Sequence, residues 1–547
     1  MGYDASLKKL IAKVEASRPA RLAAVRRGEH YQRLTLEEID AILKAFHPDF
    51  RADAKRAVGV GRNQGSVYPN ELVDVLEAPS RLDPAAVSLD KVDYDVDLLI
   101  IGGGGAGCSA AIAASDAGVQ DILMATKLRM GDANTMMAEG GIQAADKEND
   151  TPVIHYLDVM GGGRFANKPE LVRALVHDAP LVIAWLEKLG VMFDKTDDGT
   201  MRTLHGGGTS RKRMHSCGDI TGAEIMRTLR DEVQCRPYIK NVEFAPAVEL
   251  LKDEAGRAAG AVLYDLDRDV HLVVRAKCTI VSTGGFGRLH LMGFPTTNHY
   301  GATADGLAMA YHAGCQLVFL ESSQFHPTGA IYPEQIVGLL ITEKIRGAGA
   351  QFLNVNGEQF VYPLETRDVA SSALIRECAT PEKGGRGQGV ATPSGRAGIW
   401  LDSPMIEILR GAGTVRRDFP GKYRMYANHG IDISLEPMLI YPTLHYQNGG
   451  VSINADASSP DVDGLFVAGE TAGGIHGQNR LMGNSLLDVC VFGRRAGVAA
   501  AAQLPSAKVG ALSLAHVVAW NDAVAKAGVA KAMRAPILFP DYRGKVM

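Results

Sequence analysis

A single cation lies in a run of small, amide and apolar side chains near the C-terminal end of the chain. The segment GGIHGQNRLMGNSL, residues 473–486, contains Arg480 as its only Lys, Arg, Asp or Glu residue. Burial of a guanidinium in so close-packed a stretch is costly unless an anion meets it. The segment therefore predicts an anion-binding site, whose other residues must come from distant parts of the chain.

A glycine-rich turn follows an apolar strand at the start of a long α/β region. In VDLLIIGGGGAGCSAAIAASDAG, which begins at Val96, a predicted strand runs into a glycine cluster and then into an alanine-rich helix. Three of these glycines have the G-x-G-x-x-G spacing in the strand–turn–helix context that binds a pyrophosphate. The turn residues that we expect to contact the cofactor are Gly102, Gly104, Gly105, Ala106 and Gly107.

Two further junctions between a strand and a glycine turn indicate which nucleotide is bound. The stretches CTIVSTGGFG at 278–287 and VDGLFVAGET at 462–471 both have this form, and the second carries Glu470. The strand after the glycine motif, DILMATK, ends in Lys127, so that no carboxylate is placed to bind the ribose of NAD. Three such junctions predict one long dinucleotide, FAD, across a single sheet.

The composition excludes several classes of function. The 547 residues carry a net charge of −4 at pH 7, and no sustained basic stripe indicates nucleic-acid binding. The seven cysteines form no CxxC pair, so we expect no metal site and no iron–sulfur cluster in this chain. No apolar run approaches the ~20 residues of a membrane span. We expect a cytoplasmic protein that reaches a membrane only through partners.

The α/β region is flanked by two segments of different character. Residues 1–95 contain two helix-like stretches, the second opened by Thr35 as a capping residue, and then a polar, turn-rich link. Residues 504–547 carry one short helix and a tail. We expect the first segment to be a helical extension that serves either as part of a docking surface or as a regulatory arm.

Five motifs between and after the glycine turns give a specific resemblance. They are QFHPTG (324–329), LLITEKIRGAGA (339–350), ETRDVAS (365–371), LHYQNGG (444–450) and HGQNRLMGNSL (476–486). In this order and spacing the chain resembles the succinate dehydrogenase and fumarate reductase flavoprotein family, which includes L-aspartate oxidases, over roughly residues 95–500. The resemblance implies an α/β fold: a Rossmann-like, glutathione-reductase-type FAD domain (96–323 and 433–503) with an inserted α+β capping domain (324–432).

The resemblance also implies roles for individual side chains. Arg480 and His445 would bind one carboxylate of a dicarboxylate substrate, and His326 and Thr342 the other. A hydride would pass from flavin N5 to one alkene carbon, and Arg367 would give a proton to the other. Glu343 and Arg346 would support this unusual acid. Beyond the glycine turn, the implied cofactor contacts are Lys127, Asn134, Thr135, Gly140, Gly141, Asp305, Glu470, Asn484, Ser485 and Leu486.

One departure from the succinate dehydrogenases concerns the attachment of FAD. The stretch GDANTMMAEGG (131–141) has Asn134 where those enzymes carry a histidine covalently bonded to FAD. An amide forms no such bond, so the resemblance implies non-covalent FAD and favours fumarate reduction over succinate oxidation. The chain also departs from the family pattern in its N-terminal arm and short C-terminal segment.

Three functions remain open at this point. The first is the flavoprotein subunit of a fumarate reductase that takes electrons from an iron–sulfur partner and acts on fumarate or a related unsaturated dicarboxylate. The second is L-aspartate oxidase, which must also bind an ammonium group. The third is a subunit that relays electrons through FAD and has lost turnover.

Overall fold

The structure is a computed structural model that describes residues 2–529 and 532–542. Its helices are α1 Ala5–Arg26, α2 Leu36–Phe46, α3 Asn70–Leu76, α4 Gly105–Asp116, α5 Asn134–Met137, α6 Pro152–Gly162, α7 Pro169–Leu189, α8 Thr221–Gln234, α9 Asp305–His312, α10 Lys344–Ala348, α11 Arg367–Cys378, α12 Pro404–Arg410, α13 Thr414–Asp418, α14 Pro420–Ala427, α15 Asn484–Gln503 and α16 Ala515–Ala527. Its strands are β1 Lys55–Ala57, β2 Val67–Pro69, β3 Tyr94–Ile101, β4 Ile122–Ala125, β5 Ile142–Gln143, β6 Leu204–His205, β7 Lys212–His215, β8 Ile239–Val242, β9 Ala247–Asp253, β10 Ala258–Asp265, β11 Val270–Val281, β12 Leu317–Val318, β13 Ser323–Ala330, β14 Phe352–Leu353, β15 Val390–Ala391, β16 Ala397–Leu401, β17 Met438–Gln447, β18 Gly450–Ser452, β19 Leu465–Val467, β20 Ala472–Gly473 and β21 Leu512–Ser513.

A mostly parallel sheet forms the larger core. Strands β8, β4, β3 and β11 lie side by side in parallel, and β19 pairs with the end of β11. Strands β9, β10 and β21 extend the sheet in antiparallel fashion. The centre of β3 is an unbroken apolar run, LLII, because both faces of a parallel sheet are covered. The α/β fold is confirmed.

The glycine turn follows from close packing between β3 and α4. Gly102 has a φ of +117°, and a Cβ on Gly107 would lie 1.9 Å from the carbonyl oxygen of Gly102. The first position thus needs a left-handed residue, and the third needs the absence of a side chain. Helix α4 packs against α15, which brings the C-terminal motif beside the turn.

A second, antiparallel sheet has its own core. Its strands run in the order β13, β17, β16 and β14, with β15 on the edge of β16. Strands β13 and β17 are neighbours, and they carry His326 and His445. The core beneath this sheet includes Phe352, Trp400 and Tyr426. Strand β17 starts beyond residue 432 and is yet a central strand of this sheet. The domain boundaries from the sequence stay a prediction.

The N-terminal residues pack on both cores. The capping box at Thr35 is present, since its Oγ1 accepts from Glu38 N and its N–H donates to the Glu38 carboxylate. The apolar faces of α1 and α2 lie on the second core, whereas Val58 to Leu76 lie on the first. Among the described residues, no helix is long and apolar enough to cross a membrane.

Candidate active site

A large cleft lies at the carboxyl ends of the parallel strands β3, β4 and β11. It encloses about 1320 Å³ of space that protein atoms do not fill, open solvent included. Ligands of open α/β sheets bind at this edge, where the strand ends and the helix N-termini meet. The predicted cofactor contacts that line the cleft are Gly102, Gly104, Gly105, Ala106, Lys127, Asn134, Thr135, Asp305, Glu470, Ser485 and Leu486.

The cleft fits the pyrophosphate of a dinucleotide. Helix α4 begins at Gly105 without a side-chain N-cap, so its first turn presents backbone N–H groups and the positive end of the helix dipole. The glycines allow close approach, since a Cβ on Gly104 would already lie 3.0 Å from the Cβ of Ala133. Thr135 Oγ1 accepts from Gly105 N at 3.1 Å and fixes the turn. The donor set is that of an FAD site.

Lys127 is neutralised within the cleft wall. Its Nζ donates to Asp305 Oδ2 at 2.5 Å, to Thr303 Oγ1 at 2.6 Å and to the carbonyl oxygen of Leu538 at 2.5 Å. The lysine that replaces the usual acid is thus paired with a carboxylate from α9. Asp305 is the acidic group that the second strand itself does not provide.

Asn134 lies in a hydrogen-bonded network at the cleft wall. Its Nδ2 donates to Asn298 Oδ1 at 2.7 Å and to Glu470 Oε2 at 2.9 Å, while its Oδ1 accepts from His299 N at 2.7 Å. Burial raises the pKa of Glu470, and hydrogen bonds from Gln447 N and Asn134 oppose that shift. The amide of Asn134 is therefore held by partners at both ends.

Four of the predicted cofactor contacts are absent from the residues that line the cleft. Gly107 packs α4 onto the turn, and Asn484 Oδ1 lies 3.3 Å from His155 Nε2. A Cβ on Gly140 would meet Met482, and one on Gly141 would meet the carbonyl oxygen of His215. These positions shape the protein around the cleft by close packing.

Two guanidinium groups converge on one neutral oxygen beside the cleft. Arg367 Nη1 donates to Gln324 Oε1 at 3.0 Å, and Arg480 Nη2 donates to the same atom at 2.9 Å. Burial first and the neighbouring Arg367 second lower the pKa of Arg480 to about 9. Two buried cations that share a neutral acceptor form a site that attracts an anionic ligand.

Arg480 is supported from below by an aromatic ring. Its guanidinium carbon lies 4.4 Å from the ring centre of Tyr446. The Tyr446 hydroxyl donates to Asp488 Oδ2 at 3.2 Å, and His476 Nε2 lies 3.3 Å from the same oxygen. Burial first, and the Asp488 carboxylate second, raise the pKa of Tyr446. The ring thus stays neutral under the cation.

A carboxylate joins Arg367 to a third arginine. Glu343 Oε2 lies 3.0 Å from Arg367 Nε and 3.1 Å from Arg346 Nη2, and all three side chains are buried. Burial raises the pKa of Glu343, but Arg346 and Arg367 outweigh it, and the pKa lies below its usual range. Burial lowers the pKa of Arg346. The four predicted charged residues Glu343, Arg346, Arg367 and Arg480 form one cluster, in which three cations face one carboxylate.

The two histidines complete the cluster as neutral donors. The rings of His326 and His445 are 4.9 Å apart between centroids. Burial and nearby arginines, Arg367 first among them, hold the pKa of both well below the ordinary value. Thr328 N donates to Nδ1 of His326 at 3.2 Å, which assigns the ring proton to Nε2. The His326 Nε2–H is therefore free to donate to a ligand.

Thr342 lies at the edge of the same region. It follows Ile341, whose N–H donates to the carbonyl oxygen of Thr328 at 2.9 Å, and it precedes Glu343. Its side chain is buried, and its Oγ1 lies 3.4 Å from Lys344 N. The structure thus brings Thr342 to the strand that carries His326.

Several residues with evident structural roles were missed in the sequence. Gln324 and Tyr446 stand in motifs that the sequence singled out, so their positions beside His326 and His445 were a usable signal. Asn298 and Gly207 lie outside those motifs. Asn298 Nδ2 donates to the carbonyl oxygen of His445 at 2.8 Å, and Gly207 N donates to Glu343 Oε1 at 2.7 Å.

Comparison with known proteins gives consistent relatives. The model of the FAD binding domain family matches residues 97–486. The flavoprotein-type chain of a CoM/CoB-dependent fumarate reductase from Methanothermobacter marburgensis is 38% identical over 418 residues, covering 75% of this chain and 73% of that protein. An L-aspartate oxidase of Streptomyces coelicolor is 34% identical, covering 73% of this chain and 67% of that protein.

Solved structures agree with these relatives. A quinol fumarate reductase flavoprotein of E. coli superposes with a TM-score of 0.69 at 29% identity, covering 79% of this chain and 74% of that one. Sdh1 of Mycobacterium smegmatis superposes with a TM-score of 0.64 at 34% identity, covering 78% and 72%. The chain therefore belongs to the fumarate reductase and succinate dehydrogenase flavoprotein family, FAD-dependent oxidoreductases that act on CH–CH bonds and include the L-aspartate oxidases.

Proposed function

We propose that this chain is the catalytic flavoprotein subunit of a complex that reduces fumarate, or a closely related unsaturated dicarboxylate. The observation that carries the proposal is the convergence of Arg367 and Arg480 on Gln324 Oε1, beside two neutral histidines. A small dianion satisfies this set of donors better than a neutral or cationic substrate does.

The substrate is held at its two carboxylates. Arg480 and His445 bind one of them, and His326 Nε2–H and the hydroxyl of Thr342 bind the other. Because both imidazoles are neutral, they donate hydrogen bonds without adding charge beside the guanidinium groups. Donors at a substrate carboxylate also stabilise the enolate-like charge that develops there in the transition state.

The reduction adds a hydride to one alkene carbon and a proton to the other, and bound FAD supplies the hydride at N5. Arg367 holds the proton at its guanidinium and gives it to the second carbon. Glu343 holds that guanidinium through Nε, and a proton that reaches Glu343 restores Arg367 to its charged form. Arg346 stabilises the Glu343 carboxylate between transfers.

We further propose that FAD is bound without a covalent bond. Asn134 is the residue that stands where the succinate dehydrogenases carry the flavin-bonded histidine, and its amide is engaged by Asn298, Glu470 and His299. A non-covalent flavin goes with fumarate reduction as the favoured direction.

Electrons are proposed to arrive from an iron–sulfur subunit. The seven cysteines of the chain are free thiols and form no CxxC pair, so a cluster must come from elsewhere. The relative from Methanothermobacter is itself named as one subunit of its enzyme, which supports assembly with a partner. A cytoplasmic location, at a membrane only through partners, fits this assembly.

L-aspartate oxidation is the second candidate, and it requires a carboxylate for the substrate ammonium. Two acids near the cluster are already engaged: Glu343 by two arginines and Gly207, and Glu470 by Asn134 and Gln447 N. A subunit without turnover, the third candidate, would have no need of the intact set of Arg367, Glu343 and Arg346. Both observations favour fumarate reduction.

The test is anaerobic. The flavin is reduced with dithionite, excess reductant is removed, and fumarate or other unsaturated acids are added while the flavin spectrum is recorded. We expect fumarate to restore the oxidised spectrum and L-aspartate not to bleach the oxidised flavin. Bleaching by L-aspartate but not by succinate would establish the oxidase instead. Failure of every dicarboxylate to reoxidise the flavin would establish the relay subunit.

A further inference from the structure

We propose that the main chain of Gly207 is a positioning element of the proton relay, which holds the carboxylate of Glu343 from the opposite side of the substrate site. The inference rests on the proposed function, since it assigns a part of that same relay. Gly207 belongs to the turn His205–Thr209 between β6 and β7, which the sequence did not connect with chemistry.

The contact between the turn and the relay is direct. Gly207 N donates to Glu343 Oε1 at 2.7 Å. The other oxygen, Oε2, is shared by the guanidinium groups of Arg367 and Arg346. The two oxygens of one carboxylate thus have different tasks: Oε2 joins the arginines, and Oε1 is fixed by the turn.

Gly207 has no room for a side chain. A Cβ on this residue would lie 2.3 Å from Glu343 Oε1, well inside a van der Waals contact. The obstructing atom is the far end of a flexible side chain, so an alanine displaces the carboxylate and leaves the main chain of the turn in place. Absence of a Cβ is therefore needed for the position of Glu343, and not for the conformation of the turn.

The turn is anchored to the larger domain and not to the relay residues. Ser210 N and Oγ both donate to Asp158 Oδ2 at 2.9 Å, and the buried Arg213 pairs with Asp150 at 2.6 Å. Glu343, in contrast, precedes α10 in the part of the chain that packs on the second core. The relay is therefore fully hydrogen-bonded only when the two cores face each other as in this structure.

The neighbouring Gly206 provides a matched control. A Cβ on Gly206 would lie 3.4 Å from Gln143 Nε2 and from Thr209 Cγ2, which is ordinary contact distance. Gly206 and Gly207 both lack the positive φ that strains other residues. The substitutions Gly206→Ala and Gly207→Ala thus make the same chemical change at adjacent positions, and only the second reaches Glu343.

The experiment compares these two variants as full-length flavoprotein with FAD bound. The readouts are fumarate-dependent reoxidation of the reduced flavin, its pH profile, the flavin content and the thermal midpoint. We expect Gly207→Ala to lower the maximal rate by about tenfold or more with KM little changed. Since Glu343 loses a donor, we also expect its pKa to rise and the pH profile to move upward. Gly206→Ala should stay within about twofold of the unsubstituted protein.

A third variant separates displacement from misfolding. In Gly207→Ala combined with Glu343→Asp, the shorter carboxylate retreats from the new methyl group. We expect the double variant to be faster than the product of the two single effects predicts. Equal rates and pH profiles for Gly206→Ala and Gly207→Ala, or strictly multiplicative effects in the double variant, would overturn the inference. Failure of fumarate to reoxidise the unsubstituted protein would overturn the proposed function instead, and thus the two failures are distinct.

Discussion

Arg367 and Arg480, which are 113 positions apart in the sequence, donate hydrogen bonds to the same atom, Gln324 Oε1. A neutral amide oxygen accepts from both cations, but it neutralises neither. The buried Nε of Arg480 has no hydrogen-bond partner among the described residues. The two arginines are thus arranged for a ligand that brings further negative charge.

Removal of the proposed acid should abolish turnover without loss of the cofactor. In Arg367→Ala the substrate carbon has no proton source, and we expect reoxidation by fumarate to slow by about 100- to 10,000-fold. FAD content should be unchanged, because Arg367 is not among the residues that line the dinucleotide cleft. Stopped-flow measurement of flavin absorbance checks the rate. Arg417→Ala, an exposed arginine on α13, is the control and should react normally. An unaltered rate in Arg367→Ala would remove this residue as the acid.

Loss of the carboxylate-binding cation should act on substrate affinity. In Arg480→Met the apolar side chain occupies similar space but donates no hydrogen bond, and we expect KM for fumarate to rise by about 30-fold or more. Arg480→Lys keeps the charge without the planar fork and should fall between the two. Steady-state kinetics of both variants provide the measurement. A KM equal to that of the unsubstituted protein in Arg480→Met would show that this residue does not bind substrate.

The affinity for the dianion should fall at alkaline pH. Because burial and Arg367 lower the pKa of Arg480 to about 9, this guanidinium loses its charge as the pH rises through that value. KM for fumarate should therefore increase above pH 9, where an ordinary arginine would stay charged. The depressed pKa also means that the charged form costs stability below about pH 9, and that this cost fades at higher pH. A bound dianion offsets the cost and should raise the thermal midpoint at pH 7.

The pH effect has its own control. In Arg480→Met the rise of KM between pH 8 and pH 10 should disappear, since the titrating group is gone. A rise that persists in this variant would assign the titration to another residue.

The flavin should be released by denaturation. Asn134 forms no bond to FAD, so acid precipitation should leave the yellow colour in the supernatant, and a denaturing gel should show no fluorescent protein band. Preparations of a protein with covalently attached flavin serve as the positive control. A yellow pellet would contradict the role given to Asn134.

The ring and the hydroxyl of Tyr446 should have separable effects. Tyr446→Leu removes the ring beneath Arg480, and we expect KM for fumarate to rise by about 2- to 30-fold. Tyr446→Phe keeps the ring but removes the donor to Asp488, which should lower the free energy of unfolding by about 1–3 kcal/mol with KM little changed. Kinetics and thermal unfolding of both variants test this division. Equal effects on KM in the two variants would show that the ring does not support Arg480.

The sequence predicted the parts of the site that depend on local patterns. The turn from Gly102 to Gly107 could be recognised because strand, glycine spacing and helix are adjacent in the chain. The cluster around Arg367 could be anticipated because each member lies in a recognisable motif. The role of Gln324 was overlooked because an amide carries no charge to attract notice, although its neighbours in QFHPTG were assigned.

Contacts between distant segments could not be predicted. Gly207 contacts Glu343 across 136 positions, and nothing in HGGGTS identifies which acid its backbone will meet. For the same reason Gly140 and Gly141 were expected at the cofactor, whereas the structure places them against Met482 and the carbonyl of His215. Helical spacing in the N-terminal segment indicated an apolar face, but not the surface that this face covers.

The course of that N-terminal segment limits how the substrate site can open. Helix α1 is fastened to the smaller core, where Arg18 and Arg21 both pair with the buried Asp402 at 2.8 Å. Residues from Val58 onward are embedded in the larger core, and between the two Asp49 accepts from Ser323 N at the start of the strand that carries His326. A strap attached on both sides of a hinge allows a small rocking motion and resists a wide clamshell movement. Fumarate and succinate should therefore exchange through a narrow, brief aperture, with the acid, its carboxylate and the glycine turn kept in register from one turnover to the next.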